Sequence, residues 1–442
     1  MFKKLLTNLI ILSIFCIFFG KVVYSNSVDL IFYSYGLLVT FVLITTYIVT
    51  FYCYKDPYET AMKYPERQKK KPLVSCMVAV FNEEKAIEQC IKSLINQTYK
   101  NKEIIFVNDC STDGTAKTLD KYAKKNLIKV LHLPKNVKKK RALAQAMLIA
   151  KGELFAFSDS DSTWAPDAIE KMVAIFNYDP EIGGASGHCR ALNGNKNFLT
   201  KVQDSWYDGQ YSIRKGFESV FGAITCVSGP LAVFRRSAIY NYIPAWENDR
   251  FLGQEFMFAT DRTLTGFVLG GVLMGKKIKE KYHDSPFMKE DYPIKDWKIV
   301  YCKSAKSWTI VPDTMKRVIK QQIRWKKSFI RNIFLTGSVY WRKPLLPALF
   351  YYAHILLVLS APFIAFRHLI YIPLRGDYMG ALVYLAGIVF VGFTFSLAYR
   401  MENPECNKWI YRPFMSLMSA LVLSWLIIYS AFTIKNIVWS RD

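Results

Sequence analysis

The sequence predicts an α/β domain carried between membrane-spanning helices, and three observations lead to this fold class. Its 442 residues are 52% hydrophobic and 15% aromatic, more than the core of one soluble domain requires. Long apolar stretches without charged residues stand near both ends of the chain. Between them, short apolar runs alternate with segments of helical periodicity, which is typical of a largely parallel sheet with crossover helices.

Charge-free stretches that approach or exceed the length of a bilayer span occur near both ends of the chain. They are residues 5–20, 30–54, 344–366, 378–399 and 413–434. The first could instead be a signal peptide, because Lys3 and Lys4 precede it, but no convincing small-residue cleavage site follows. We predict a transmembrane hairpin over residues 1–54, C-terminal transmembrane helices over residues 344–434, about three in number, and a tail over residues 435–442.

Basic residues indicate the orientation of the chain in the membrane. Lys3 and Lys4 flank the first stretch, and residues 55–72 form a polar, basic linker directly after the second. Positive residues are retained on the cytoplasmic side of a membrane. We therefore expect a multi-pass cell-membrane protein whose central region faces the cytoplasm.

The net charge of +24 is compatible with nucleic acid, anionic lipid or an anionic substrate. No basic recognition helix or RNA-binding motif is evident in the sequence, and the membrane stretches favour lipid headgroups and an anionic substrate. No nucleic-acid partner is therefore expected, whereas membrane lipid is. The nine cysteines show neither a Cys-x-x-Cys pair nor a metal-ligand spacing, which indicates reduced thiols.

The predicted α/β domain covers residues 73–325. Apolar runs and helical periodicity place strands at residues 73–80, 103–107, 128–133 and 154–157, and helices from Ala86 and at residues 115–125 and 141–150. Ligands of parallel sheets bind beyond the carboxyl ends of the strands. Polar residues follow the first, second and fourth strands, so we expect them to meet at one edge of the sheet.

Two segments keep a helical register but are too short to span a bilayer. They cover residues 199–217 and residues 329–337, and either could be an amphipathic helix at the membrane surface. Ordinary core packing is an equal alternative for the first and a weaker one for the second, which directly precedes a membrane stretch. We place an interfacial amphipathic helix at residues 326–343.

Asp159 and Asp161 follow the fourth predicted strand with one residue between them. Two carboxylates at a strand end can hold a divalent ion and so neutralise a departing diphosphate. An acidic turn of this kind is common and is weak support on its own. The parallel sheet, with Asp109 at the end of another strand, strengthens the prediction of a Mn²⁺ or Mg²⁺ site.

Asp261 is the candidate for a general base that accepts the proton of an attacking hydroxyl. The alternative roles are a helix N-cap or a surface ion pair with Arg262, and either would be preferred if Asp261 stood alone. Its place in the chain, downstream of the acidic pair, favours the catalytic role.

Gln321, Arg324 and Trp325 stand shortly before the C-terminal membrane stretches. Arg324 offers a planar fork of donors for phosphate oxygens, and Trp325 a flat apolar face on which a sugar ring can stack. Gln321 lies one helical turn earlier on the same face. A basic amphipathic helix in contact with lipid is the alternative, which the order of the three elements along the chain disfavours.

In combination, these motifs resemble those of the processive glycosyltransferases of family 2, within the group of hyaluronan synthases and rhizobial chitin-oligosaccharide synthases. The resemblance covers roughly residues 73–337 and the flanking spans. The motifs that carry it are Val78 to Glu84, the turn at Asp109, Lys140-Arg141-Ala142, Asp159-Ser160-Asp161, Ser228-Gly229-Pro230-Leu231, Thr260-Asp261-Arg262, Val311-Pro312-Asp313 and Gln321 to Trp325. The resemblance implies a GT-A-type, Rossmann-like catalytic domain.

The resemblance also implies roles for the candidate residues. The uridine of a UDP-sugar would contact Phe81, Asn82, Glu83 and Asp109, and its diphosphate would lie near Lys140 and Arg141. Asp161 with Asp159 would bind Mn²⁺ or Mg²⁺. The acceptor sugar would rest on Ser228, Gly229 and Pro230, with Arg262 beside the base Asp261. Gln321, Arg324 and Trp325 would bind the diphosphate and the acceptor terminus.

The implied activity is inverting transfer from UDP-N-acetylglucosamine, alone or alternating with UDP-glucuronic acid, to a growing β-linked polysaccharide such as hyaluronan, which leaves through the membrane helices. Three alternatives stay open. The product could be chitin or another poly-N-acetylglucosamine, the enzyme could load a single sugar onto a lipid phosphate, or the chain could be a catalytically silent membrane scaffold that binds sugar.

Overall fold

The computed structural model of the protein describes residues 30–436 and, before them, residues 8, 11, 12, 14–16 and 19. The first predicted span, residues 5–20, therefore lies largely outside the described residues, and so does the tail from residue 437 onward.

The central region is built on a mixed β-sheet. Its strands are β1 (Val74–Val80), β2 (Lys102–Asn108), β3 (Lys129–His132), β4 (Leu154–Phe157), β5 (Ser162–Trp164), β6 (Ile182–Ala191), β7 (Ala232–Arg235) and β10 (Lys298–Thr309). They are arranged in the order β3-β2-β1-β4-β7-β6-β10-β5, and a separate hairpin pairs β8 (Arg250–Phe251) with β9 (Gln254–Glu255). β1 to β4 are parallel, as predicted, whereas β7 runs antiparallel to both β4 and β6.

Helices cover the sheet and extend from it. The longer ones are α1 (Leu30–Ile48), α2 (Ile87–Ile95), α3 (Thr115–Ala123), α4 (Lys138–Ile149), α5 (Ala168–Tyr178), α6 (Phe198–Gly209), α7 (Thr260–Lys281), α8 (Met315–Leu335), α9 (Leu345–Phe366), α10 (Tyr378–Glu402), α11 (Arg412–Met418) and α12 (Leu426–Phe432). Short helices occur at Pro57–Ala61, Gly216–Val220, Arg236–Ile239, Ile243–Glu247 and Ile372–Leu374.

The sheet separates two apolar layers, and β1 shows why its sequence reads as one continuous apolar run. All seven of its residues are buried. Met77 packs into the layer that contains α4, whereas Val78 packs into the layer that contains α2 and α5. A strand covered on both faces has no solvent side, so apolar residues occupy both sides of the pleat.

The carboxyl ends of β1, β2 and β4 meet at one edge of the sheet, as the sequence predicts. The turn after β1 contacts the turn after β2, because the side chain of Asn82 accepts a hydrogen bond of 2.8 Å from the backbone N–H of Thr112. Asp109 follows β2 on the same edge, and its N–H donates to the carbonyl of Val80 at 2.8 Å. This edge therefore collects the polar residues at the strand ends.

Among the described residues, the helices Tyr33–Ala61, Leu345–Leu374 and Tyr378–Glu402 are long and apolar enough to cross a membrane. The stretch predicted as the last span comprises two helices, Asn407–Leu423 and Leu426–Phe432, bent by 42° at the break. It is either one broken span or a re-entrant segment.

The segments between the long apolar helices and the sheet pack closely on the sheet. The predicted linker over residues 55–72 contains Asp56, which is buried and accepts hydrogen bonds of 2.7 Å from the N–H and the hydroxyl of Ser304 on β10. The predicted interfacial segment over residues 326–343 comprises the second half of α8 and a turn at Tyr340–Arg342. Phe334 on α8 exposes 62% of its surface, which leaves an apolar side chain facing outward.

Candidate active site

The acidic pair lies in the turn that leaves β4. Asp161 accepts a hydrogen bond of 3.1 Å from the hydroxyl of Thr309, the last residue of β10, while Asp159 forms an ion pair with Lys139. Burial, and then the neighbouring charge of Asp159, raise the pKa of Asp161 to about 6. The two negative charges repel each other, so a cation bound between the carboxylates and a substrate would be stabilised.

The donor chemistry of this pair fits a Mn²⁺ or Mg²⁺ ion. Hard divalent cations prefer oxygen ligands, and Mg²⁺ commonly binds through one or two carboxylates and completes its shell with substrate phosphates and water. Within the part of the chain that the structure describes, no three His, Cys, Asp or Glu side chains form a group that could hold a metal ion. Asp159 and Asp161 are thus suited to an ion that shares its coordination with a diphosphate.

Asp261 lies in the first turn of α7, where its carboxylate faces the loop after Cys226. One carboxylate oxygen accepts hydrogen bonds from the N–H of Gly229 at 3.2 Å and from the thiol of Cys226 at 3.5 Å. The other accepts from the N–H of the following residue, Arg262, at 2.9 Å. These bonds fix the orientation of the carboxylate at the N-terminus of the helix.

Gly229 brings Asp261 and the acidic pair together. A Cβ atom at position 229 would lie 2.9 Å from one carboxylate oxygen of Asp159 and 3.0 Å from the other, closer than real Cβ contacts allow. The N–H of the same residue donates to Asp261. The loop that contains Ser228, Gly229 and Pro230 therefore lies against both carboxylate groups, and a side chain at its centre would separate them.

Arg324 and Trp325 approach the same site from α8. Burial lowers the pKa of Arg324, while the carboxylates of Asp159, Asp161 and Asp261 act to raise it. Its guanidinium therefore lies within the field of the three site aspartates. The indole ring of Trp325 packs at a centroid distance of 5.8 Å from Trp206 and 6.3 Å from Tyr207.

Gln321 lies one turn before Arg324 on α8 and has a feature that points to a ligand. Its side-chain oxygen is buried and has no hydrogen-bond partner among the residues that the structure describes. A buried, unsatisfied acceptor costs free energy of roughly 1–3 kcal/mol. A hydroxyl group of a bound molecule would satisfy it.

The turns after β1 and β2 form a second part of the site. Asp109 is buried, and its carboxylate oxygens accept hydrogen bonds from the N–H groups of Val137 and Lys138 at 2.6 and 3.0 Å. Burial raises the pKa of Asp109, and these two N–H groups act to lower it. Phe81 exposes 41% of its surface at the start of the turn after β1. Glu83 follows two residues later in the same turn.

The basic residues of α4 are arranged differently from the sequence-based expectation. Lys140, which we expected near a diphosphate, is fully buried and donates to Asp249 at 3.0 Å and to the carbonyl of Phe256 at 2.7 Å. Arg141 pairs with Glu255 at 2.7 Å on a half-exposed surface. Lys140 therefore contacts a different part of the fold from Asp159 and Asp161.

Lys139 is the site residue that the sequence analysis missed. It forms the ion pair with Asp159, and it lines the same cleft as Ser158, Gly229 and Asp261. Burial acts to lower the pKa of Lys139, but Asp159, Asp261 and Asp161 together raise it. The run Lys138-Lys139-Lys140 shows that α4 begins with lysines. Which of them reaches the acidic pair depends on which face of α4 is turned toward the site.

The sequence is similar to those of known proteins. Residues 75–243 match the sequence model of the family described as Glycosyl transferase family 2. The hyaluronan synthase of Streptococcus pyogenes serotype M3 is 27% identical over 449 aligned residues, which cover 99% of this chain and 97% of the relative. An N-acetylglucosaminyltransferase of Rhizobium leguminosarum bv. viciae is 31% identical over 61% of this chain and 58% of the relative.

The fold is also found among solved structures. A mannosyltransferase from Pyrobaculum calidifontis, solved in complex with GDP-mannose and Mn²⁺, superimposes with a TM-score of 0.51 at 18% sequence identity. The match covers 89% of this chain and 98% of that chain. The α/β sheet is therefore of the GT-A type, as expected. Together with the match of residues 75–243 to the family 2 model, these similarities identify the chain as a glycosyltransferase.

Proposed function

We propose that the chain is a membrane-embedded, processive, inverting glycosyltransferase that polymerises UDP-sugars into a β-linked polysaccharide and extrudes it. The observation that carries the proposal is the contact of one residue, Gly229, with both Asp159 and Asp261. A candidate metal ligand for the leaving diphosphate and a candidate base thus both lie next to one small loop. Transfer with inversion needs this pair of groups across the reacting sugar.

In the proposed reaction, Asp261 accepts the proton of the acceptor hydroxyl while the acceptor oxygen bonds to C1 of the donor sugar. The bond from C1 to the diphosphate breaks at the same time, and UDP leaves with the bonding electron pair. A Mn²⁺ or Mg²⁺ ion held by Asp159 and Asp161 would supply charge neutralisation for the diphosphate. Lys139 and Arg324 add positive charge at the same place.

Donor binding in this proposal uses the turns after β1 and β2. Phe81, Asn82, Glu83 and Asp109 would hold the uridine, because they share the edge of the sheet with the acidic pair. Arg262 directly follows the candidate base on α7 and would lie beside the acceptor, and Arg141 on α4 would lie at the outer edge of the donor site. The Mn²⁺ ion in the related mannosyltransferase structure supports a divalent ion here as well.

Retention of the acceptor would follow from the aromatic surface of Trp325 and from the position of α8. Trp325 packs with Trp206 and Tyr207, which offers flat apolar faces for a sugar ring. The hydroxyl of Ser430 on α12 donates to the carbonyl of Ile323 at 3.3 Å, so α8 packs directly on the C-terminal membrane helices. A chain end bound here lies next to the membrane, which favours continued elongation over release.

The similarity to a streptococcal hyaluronan synthase along nearly the whole chain supports UDP-N-acetylglucosamine and UDP-glucuronic acid as donors. The rhizobial N-acetylglucosaminyltransferase supports a second candidate, a poly-N-acetylglucosamine such as chitin. In both cases residues 73–325 would be the catalytic domain on the cytoplasmic side. Residues 1–54 and 344–434 would form the membrane part.

Donor dependence tests the proposal. Purified protein in liposomes with Mg²⁺ or Mn²⁺ is supplied with each labelled UDP-sugar alone and with both together. Polymer from the pair that hyaluronidase digests supports hyaluronan, and polymer from UDP-N-acetylglucosamine alone that chitinase digests supports the second candidate. Absence of polymer under every donor combination, or a singly glycosylated lipid as the only product, would contradict the proposal.

A further inference from the structure

The helical stretch over residues 198–220 changes its winding just before the loop that contacts Asp261. It is an α-helix over Phe198–Gly209, a π-helix over Gln210–Lys215 and an α-helix again over Gly216–Val220. π-Helical segments are rare and are frequent at functional sites, because the wider turn rotates the side chains that follow it. Here the π-helical segment ends on a buried lysine, Lys215.

Lys215 contacts the acceptor loop directly. Its ammonium group donates to the hydroxyl of Ser228 at 2.6 Å and to that of Ser186 at 2.7 Å. It also lies 4.0 Å from the ring centroid of Tyr211, within the range of a cation–π contact. Ser228 directly precedes Gly229, so Lys215 fixes one end of the short segment that reaches Asp261.

The environment of Lys215 is costly for a lysine. In the described part of the chain, its hydrogen bonds go to neutral hydroxyl groups and none goes to a carboxylate. Burial lowers the pKa of Lys215 to about 8, while Cys226, Asp261 and Glu218 act to raise it. A buried cation without an ion pair is destabilising, and an apolar side chain of similar length would serve packing alone better. The position therefore suggests a role in the reaction.

Glu218 fixes the other end of the same segment. Its two carboxylate oxygens accept hydrogen bonds from the N–H of Thr225 at 2.9 Å and from the Thr225 hydroxyl at 3.0 Å. Glu218 is also buried, and it follows Lys215 by three residues on the same face of the helix. Together the two side chains hold Thr225 and Ser228, the ends of a four-residue segment.

The held segment determines where the base points. Between Thr225 and Ser228, the N–H of Val227 donates to the hydroxyl of Thr265 on α7 at 2.9 Å. Two residues later, the N–H of Gly229 donates to the carboxylate of Asp261 at 3.2 Å. A shift of the segment would therefore move the hydrogen-bond donor that orients the carboxylate.

We propose that Lys215 and Glu218 are positioning residues that hold residues 225–229 so that the N–H of Gly229 orients Asp261 toward the acceptor hydroxyl. The inference rests on the proposed function, in which Asp261 is the base. It gives a role in catalysis to two charged residues that lie outside the sequence motifs. Lys215 is also connected to the aromatic surface through Tyr211. The ring of Tyr211 packs on that of Tyr207 at a centroid distance of 6.4 Å, and Tyr207 packs on Trp325.

The test uses the full chain in detergent or liposomes and separates positioning from binding and from stability. We expect Lys215→Met and Glu218→Gln to lower kcat by about 10- to 100-fold, because misplacement of a reacting group costs this much. The donor KM and the affinity for UDP should stay within about twofold of the unchanged protein, because neither residue contacts the predicted uridine or metal site. Lys215→Arg, which keeps the charge and the donors, should recover part of the loss.

A matched control is Lys102→Met. Lys102 is half-buried at the start of β2, at the opposite end of the strands from the site, and among the described residues its ammonium group donates to the carbonyls of Gln97 and Tyr99 at 3.2 and 3.0 Å. Its substitution should leave kcat unchanged. Ser228→Ala removes a single hydroxyl group, and it should lower kcat while adding little to the loss in Lys215→Met, because both substitutions break the same contact.

The inference would be overturned if Lys215→Met left kcat unchanged or raised the donor KM without lowering kcat. It would also be overturned if the losses of kcat in Lys215→Met and Ser228→Ala added up in the double variant. If Lys215→Met does not fold, as judged by thermal unfolding in detergent, Ser228→Ala alone decides, and unchanged kcat there overturns it. The proposed function fails separately, since it would show as absence of polymer in the unchanged protein or as full activity of Asp261→Asn.

Discussion

The backbone N–H of Gly229 donates a hydrogen bond of 3.2 Å to the carboxylate of Asp261. The same residue leaves no room for a side chain on the other face, where the carboxylate of Asp159 lies. One residue therefore lies next to both the candidate base and a candidate metal ligand, which makes the spacing between the two groups short. The chemistry proposed for this chain depends on that spacing.

Gly229→Ala tests the spacing directly. The added methyl group would lie 2.9 Å from an Asp159 carboxylate oxygen, so either the loop or the Asp159 side chain must shift. We expect kcat to fall by about 100-fold, since a displacement of about 1 Å has this effect on a reacting group. Steady-state kinetics with labelled donor give the value. Gly387→Ala is the control, because a Cβ built there has no described atom within 4 Å apart from its chain neighbours and the backbone of its own helix, and it should leave activity unchanged.

Asp161→Asn should remove metal-dependent activity. The substitution keeps the size of the side chain but removes a charged oxygen ligand, and Asp159→Asn should act in the same direction. Titration of Mn²⁺ in the presence of UDP, followed by electron paramagnetic resonance, should show weaker binding in both variants. Chelation should stop turnover of the unchanged protein, and Mn²⁺ or Mg²⁺ should restore it.

The control for that prediction is Asp284→Asn, at an aspartate whose side chain is 91% exposed and whose described contact is with the adjacent His283. It should bind Mn²⁺ and turn over like the unchanged protein. Metal-independent activity of the unchanged protein, or equal Mn²⁺ binding by Asp161→Asn, would argue against a metal site at the acidic pair.

Lys139→Met should lower activity with little effect on stability, whereas Lys140→Met should lower stability. Lys139 pairs with Asp159 in the site, so its loss should lower kcat/KM by about 10- to 100-fold, with little change in Tm. Lys140 and Arg331 both form ion pairs with the buried Asp249, so loss of Lys140 leaves Arg331 as a partner and removes one charged hydrogen bond, which costs about 1.5–3 kcal/mol of unfolding free energy. Lys140→Met should therefore lower Tm markedly.

Thermal unfolding in detergent and kinetics at saturating UDP-sugar measure the two effects on the same preparations. Each lysine is the control for the other, since they are adjacent on α4. The account would be wrong if Lys140→Met kept its Tm and lost affinity for the donor, because the lysine near the diphosphate would then be Lys140.

Trp325→Ala should shorten the product more than it slows donor use. The indole packs on Trp206 and Tyr207 and offers the acceptor a stacking surface worth about 0.5–1.5 kcal/mol beyond buried area. We expect a weaker hold on the chain end, and therefore a smaller product at equal UDP release, with Trp325→Phe intermediate. Gel filtration of labelled product measures this. Trp341→Ala, at a 63% exposed tryptophan outside the aromatic cluster, should leave the product size unchanged.

Patterns along the chain predict those parts of the fold that depend on neighbouring residues. The apolar run from Leu73 to Val80 becomes β1 within one residue, since a strand buried on both faces has no polar position. The break of the last membrane stretch near Ser424 and Trp425 was not predictable, because apolar composition indicates length and not curvature. The linker after α1 likewise reads as polar and basic, and the contact of Asp56 with Ser304 on β10 joins residues 248 positions apart.

The site was predictable to a similar extent. Asp159, Asp161 and Asp261 stand out as carboxylates at expected places, and the structure brings them together around Gly229. The sequence does not show whether Lys139 or Lys140 reaches the acidic pair. That depends on how α4 is rotated about its own axis, and packing sets this rotation. Lys215 and Glu218 belong to no motif, and only the contacts with Thr225 and Ser228 make them visible.

The central claim is that the enzyme elongates one bound chain many times before releasing it. Purified protein in liposomes is given labelled UDP-N-acetylglucosamine with UDP-glucuronic acid for a short pulse, and a large excess of unlabelled donors follows. The account predicts that the pulse label moves into high-molecular-weight polymer while short products stay scarce. Label that stays in short oligosaccharides or in a singly glycosylated, chloroform-soluble lipid would contradict it.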